Sequence, residues 1–114
     1  MIKIRRALKS NAILKALTGL KIKQFKMLAV HFEMNLTASF KEDRSVRLEL
    51  GRGFVLRSAE EKLFFTLFYL KCYPIFDVAG WIFDVHKSTC CRWVKWFVPV
   101  LERALGKELM LQWR

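Results

Sequence analysis

Apolar side chains recur along this chain at helical spacing. Ile4, Leu8, Ala12 and Leu17 predict one short first helix, and Gly19 in Leu17-Thr18-Gly19-Leu20 suits its end, because glycine enters the left-handed region without a Cβ clash. Phe25, Leu28, Phe32, Leu36 and Phe40 then follow at steps of three and four, which predicts a helix over 22–41 with one face turned inward. Ser58-Ala59-Glu60-Glu61 reads as a capping box: the Ser58 hydroxyl can accept from the Glu61 N–H while the Glu61 carboxylate reaches back. The helix it opens runs through Leu63, Phe64, Leu67, Phe68 and Leu70 toward Tyr73, where Pro74 stops it. Apolar residues lie nearly all round it, so it should be central and buried.

Residues 76–95 read as a helix-turn-helix unit. Ala79, Phe83, Val85, Cys90 and Trp93 supply interior contacts, Gly80 permits close approach of the two helices, and Asp84 takes the turn, where glycine is commoner. The second helix should start near His86 or Lys87 and continue past Phe97. Between the two helical parts, Lys41 to Arg57 is a basic connector with Arg44, Arg47, Arg52, Arg57, Gly51 and Gly53, or one that holds a short strand at Val46 to Leu50. The expectation is an all-α small helical bundle: a basic N-terminal helical segment (1–45), the connector (46–57) and a helix-turn-helix domain (58–114).

Composition supports a packed fold, since 54% of the 114 residues are hydrophobic and ten Phe and four Trp argue against disorder. Charge narrows the partner. The net charge is +11, and residues 1–57 hold thirteen basic and four acidic residues, with no acid before Glu33. Such an excess suits a polyanion, nucleic acid first and an anionic membrane second. The longest uncharged run, Leu63 to Leu70, is far shorter than the roughly 20 residues of a membrane span. Basic residues interrupt the N-terminus where a secretory signal would be continuously apolar. Three Cys, two of them adjacent at Cys90 and Cys91, do not make a disulfide framework and suit a reducing cytoplasm.

The second helix of the unit would display His86, Lys87, Ser88, Thr89, Cys91, Arg92 and Lys95, with no acid before Glu102. Arg and Lys donate to guanine edges or phosphates, and Ser and Thr donate or accept at either. The bland alternative is two packed helices in a bundle, because helix-turn-helix spacing is degenerate. His86, Cys90 and Cys91 do not have the spaced pairs of a structural zinc site. Neither a metal, a cofactor nor a Ser-His-Asp arrangement is expected. Trp81, Trp93 and Trp96 are assigned to core packing, ahead of stacking on bases.

Leu17-Thr18-Gly19-Leu20, the run Glu60 to Pro74 and Lys87-Ser88-Thr89-Cys90-Cys91-Arg92-Trp93 resemble the N-terminal helix-turn-helix region of DDE-type insertion-sequence transposases, over residues 11–111. The resemblance implies binding of double-stranded DNA at the terminal inverted repeats of a mobile element, with Lys87 to Phe97 as recognition helix and the connector at Arg52-Gly53 as the family's Gly-Arg-rich loop. Asp84 stands where many relatives have Gly, and Phe54-Val55 replaces further basic residues. In the family a metal-binding catalytic domain with two Asp and one Glu follows. The chain ends at Arg114, so the expectation is a truncated transposase or the first reading frame of a split element, not an enzyme. A separate catalytic polypeptide and a homodimer are its conceivable partners. The alternatives are a basic amphipathic protein of the membrane surface and a stand-alone helix-turn-helix repressor.

Overall fold

Ser10 divides what the apolar spacing joins. Its backbone is extended and its hydroxyl accepts from the Ile13 N–H at 3.3 Å, so the predicted first helix is two: α1 (Ile4–Ala7) and α2 (Asn11–Thr18). A serine cap competes with helix continuation, and here the cap prevails. The computed structural model describes residues 4–42, 56 and 58–106. Most of the connector, with Arg44, Arg47, Arg52, Arg57 and the strand predicted at 46–50, lies outside the described residues.

Gly19 closes α2 at φ 82°, and its N–H donates to the Lys15 carbonyl. The corner that follows is held by side chains. Buried Thr18 donates through Oγ1 to the Leu14 carbonyl at 2.7 Å and accepts from the Leu20 N–H at 3.2 Å, while Asn11 Oδ1 accepts from the Ile22 N–H at 2.9 Å. The first turn of α3 (Ile22–Glu42) is therefore tied to the first residue of α2. Along α3, Phe25, Leu28, Ala29, Phe32 and Leu36 are buried at the predicted spacing.

Ser58 caps α4 (Ala59–Cys72) by accepting from the Glu61 N–H at 3.1 Å. Every residue from Lys62 to Phe68 is buried, and so is Leu70, as a helix apolar on all sides requires. Lys62 is the exception in kind: burial lowers its pKa, opposed by the charge of neighbouring Glu61. The helix ends at Tyr73, which is left-handed at φ 50°, immediately before Pro74. Then come α5 (Phe76–Phe83) and α6 (Lys87–Leu105). The last of these continues through Pro99, which sits on the exposed side where a missing N–H donor costs least.

Helix α4 packs against α2, α3 and α6, α3 lies along α6, and α5 packs on α6. The join is aromatic: the Phe65 ring of α4 meets Phe83 of α5 and Trp93 of α6 edge-on, each with centroids 5.0 Å apart. Buried residues from α1 to α6 form one cluster. Among the described residues there are six helices and no strand, an all-α bundle.

Candidate nucleic-acid interface

The turn between α5 and α6 is built by Gly80 and Asp84. A Cβ on Gly80 would stand 2.6 Å from the Val85 carbonyl oxygen and 3.3 Å from the Lys87 nitrogen, so no larger residue fits while the second helix starts where it does. Asp84 takes the left-handed conformation at φ 57° in place of glycine, and the Val85 N–H returns to the Gly80 carbonyl at 2.8 Å. Ala79 and Phe83 from α5 and Cys90 and Trp93 from α6 fill the space beneath, as the sequence pattern predicts. Val85 is half-buried.

His86 is the N-cap of α6. Its Nδ1 accepts from the Ser88 N–H at 3.1 Å and lies 2.8 Å from Ser88 Oγ. From that start, Cys90, Trp93, Phe97, Val100 and Leu101 turn inward. Ser88, Arg92, Lys95 and Pro99 follow at helical spacing on the opposite side, and all four are exposed. This stripe brings together three of the predicted residues. Thr89 and Cys91 are half-buried at its edges, and Thr89 Oγ1 accepts from the Arg92 guanidinium at 3.3 Å. Lys87 lies on the flank toward α5, where its Nζ is 3.9 Å from Asp77 Oδ1.

Asp77 is the residue that sequence reading misses. It is exposed and in the first turn of α5, and by pairing with Lys87 it makes the entrance to α6 less positive than the sequence of α6 suggests. Only the placement of one helix against the other reveals it. Arg52 and Arg57 lie outside the described residues. Arg5, Arg6, Lys9, Lys15, Lys21, Lys23 and Lys26, in contrast, are all exposed on the N-terminal elements.

Trp81 does not pack in the core: it is 84% exposed, which corrects the assignment made from its neighbours' apolar character. Once Ala79, Gly80 and Phe83 turn inward, a period of 3.6 residues leaves Trp81 on the outer face of α5. Trp93 is buried and Trp96 is half-buried. Burial pushes the Cys90 thiol up to about 11, so it is an inert core residue, while Cys72 is exposed. Among the described residues no three His, Cys, Asp or Glu side chains gather where a metal could bind, and no helix is long and apolar enough to cross a membrane.

Residues 55–107, which contain α4, α5 and α6, match a family model described as the helix-turn-helix of DDE superfamily endonuclease. No curated protein and no solved structure matches the chain. The matched segment is similar to the DNA-binding module of such enzymes and not to their catalytic part.

Proposed function

We propose that this chain binds duplex DNA by laying α6 in the major groove, and that its cognate sites are the terminal inverted repeats of a mobile element. The observation that carries the reading is the outward stripe Ser88, Arg92 and Lys95 on the second helix of a helix-turn-helix, within the segment similar to that of DDE superfamily endonucleases. A helix of this kind presents its first turns to base edges while the preceding helix crosses the phosphate backbone.

Each residue then has a distinct task. Arg92 donates two parallel hydrogen bonds to a guanine edge, the strongest single base contact its planar fork can make. Ser88 and Lys95 meet phosphates or base edges above and below it, and Lys87 reaches the backbone at the α5 side. His86 acts by capping and so orients the first turn, with Thr89 steadying Arg92; Cys91 contributes an apolar edge. Arg52 and Arg57 add phosphate contacts from the connector. The lysines and arginines of α1–α3 raise the rate of encounter and the affinity for any duplex.

Equilibrium binding to inverted-repeat and scrambled duplexes across a salt series tests the reading. The expected result is tighter binding to the repeat, with affinity for both duplexes falling at a slope of about −0.9 per neutralised phosphate. A salt-independent response, or sedimentation with phosphatidylglycerol vesicles but no duplex binding, overturns it.

A further inference from the structure

Helices α2 and α3 repeat the plan of α5 and α6. In each pair an eight-residue helix ends on a left-handed residue, Gly19 at φ 82° or Asp84 at φ 57°, whose N–H donates to the carbonyl four residues back. The second helix begins three residues later, at Ile22 or Lys87. Burial keeps the same register: Leu14, Thr18, Phe25 and Leu28 are buried at the positions that Ala79, Phe83, Cys90 and Trp93 hold in the other pair, and Leu20, like Val85, is half-buried in the turn. In both pairs the first turn of the first helix touches the first residue of the second, through Asn11 and Ile22 at 2.9 Å or Asp77 and Lys87 at 3.9 Å. The two units also meet through counterparts. Phe32 and Phe97 hold one position in each, and their rings lie edge-on with centroids 6.4 Å apart.

Lys15 stands where Gly80 lies. A Cβ on Gly80 would strike the Val85 carbonyl, and Lys15 carries one, so α3 keeps further from α2 than α6 does from α5. The Asn11 side chain makes the link instead.

The outer faces correspond as well. Ser88, Arg92 and Lys95 point outward from α6, and the same three positions of α3 hold Lys23, Met27 and Val30, all exposed. Met27 and Val30 are 63 and 58% exposed, exposed Lys21 and Lys23 precede them, and the first acid of α3, Glu33, comes only after three turns. A basic helix start followed by apolar side chains fits the major groove, where phosphates take the ammonium groups and the thymine 5-methyl takes apolar contact.

We propose that α2 and α3 form a second helix-turn-helix unit that reads duplex DNA, with Lys21 and Lys23 on phosphates and Met27 and Val30 against thymine methyl groups. The DNA site is then bipartite, with one block of base pairs for each unit. Lys26 lies on the flank toward α4, its Nζ 3.8 Å from Glu60, much as Lys87 lies on the flank toward α5. This second site presupposes that the chain binds duplex DNA, yet it occupies residues 11–30, outside the segment similar to the helix-turn-helix of DDE superfamily endonucleases.

Selection of duplexes from a random library by the full chain, and by its Met27→Ala and Arg92→Ala variants, is the test. The parent should recover two separate blocks of fixed base pairs, one of which contains thymine. Met27→Ala should lose the preference for thymine in that block and keep the other block, and Arg92→Ala should do the reverse. Both side chains are exposed, so circular dichroism spectra and melting temperatures should be unchanged. Replacing the thymines of that block by deoxyuridine removes only the 5-methyl groups. It should weaken binding of the parent by about fourfold for each methyl group contacted, and leave Met27→Ala, already weakened, with a smaller response. Selected sites, of one block or two, that respond neither to Met27→Ala nor to deoxyuridine overturn the second unit while the role of α6 stands. Enrichment of no duplex at all overturns both. A stripe needed instead for self-association, or for pelleting with phosphatidylglycerol vesicles, with both blocks intact in Met27→Ala, also overturns it.

Discussion

The Val85 carbonyl oxygen lies 2.6 Å from the point a Cβ on Gly80 would occupy, while the Val85 N–H donates to the Gly80 carbonyl at 2.8 Å. These two residues set how closely α6 follows α5. Gly80→Ala would gain about 1 kcal/mol in helix propensity. The obstructing atoms are backbone, however, and overpacking of this kind costs about 1–3 kcal/mol, so net destabilisation is expected in urea denaturation. A variant as stable as the parent would mean that the turn can widen.

The two tryptophans that flank this turn should respond in opposite ways. Trp93 is buried against Phe65 and Phe83, and truncating it to Ala should cost about 3–5 kcal/mol, a large share of the stability of a domain this size. Trp81→Ala removes an exposed side chain and should change stability by no more than about 0.5 kcal/mol. Thermal melts of both variants decide the point. A large loss from Trp81→Ala would contradict its placement on the surface.

What could be read from the sequence is what a single helix encodes in itself. Phe25 to Leu36 mark a one-sided stripe, Leu63 to Leu70 an all-round apolar helix, and Gly80 with Asp84 a tight corner, each through local spacing or backbone preference. The break at Ser10 escapes because Ile4, Leu8, Ala12 and Leu17 keep an apolar rhythm across it, and rhythm does not register a cap. Trp81 escapes because Phe-Asp-Val-Ala-Gly-Trp-Ile-Phe is apolar on both faces, so composition alone does not say which face is covered. The pairing of Lys87 with Asp77 joins two helices, and no spacing within either predicts it. For α6 the spacing does suffice to separate Ser88, Arg92 and Lys95 from the inward Cys90 and Trp93.

Burial of Cys90 gives a pH dependence of defined sign. Its thiol is pushed from about 9.0 to about 11 in the folded chain, so between those values the unfolded thiol ionises while the folded one stays protonated. Stability from this group is complete below pH 9 and is lost as pH rises toward 11. Lys62 acts oppositely, since its lowered pKa makes the folded state release its proton first. The difference between the parent chain and Cys90→Ala therefore isolates the thiol, and the variant should lose less stability between pH 9 and 11. In native protein at neutral pH, maleimide should modify exposed Cys72 well before Cys90.

Removing the acid at the entrance to α6 should help DNA binding. Asp77 holds an exposed pair with Lys87, worth about 0–1 kcal/mol to the fold, so Asp77→Asn should leave the melting temperature nearly unchanged. The released Lys87 charge should tighten binding to any duplex by roughly two- to tenfold at low salt, an advantage that shrinks as salt is added. If affinity is unaltered, Lys87 does not reach the phosphates.

Arg92 and Lys15 separate sequence reading from general attraction. Both are exposed, but Arg92 sits in the outward stripe of α6 with Ser88 and Lys95, while Lys15 is on α2, an element that packs on α4 and precedes the helix-turn-helix. If Arg92 forks onto a guanine, Arg92→Ala should cost about 1–3 kcal/mol on the cognate duplex and relax preference at one base pair, with less change on a scrambled duplex. Lys15→Ala should weaken both duplexes alike and lower the salt slope by at most about one unit, because a phosphate contact or a steering charge carries no sequence information. Replacing Arg92 by Lys sharpens the comparison: it keeps the charge but loses the planar fork, so nonspecific affinity should persist while the cognate preference falls. Fluorescence anisotropy on both duplexes reads all three variants. Should Arg92→Ala and Lys15→Ala behave the same on both, α6 contributes charge alone and the base-reading role assigned to Arg92 is wrong.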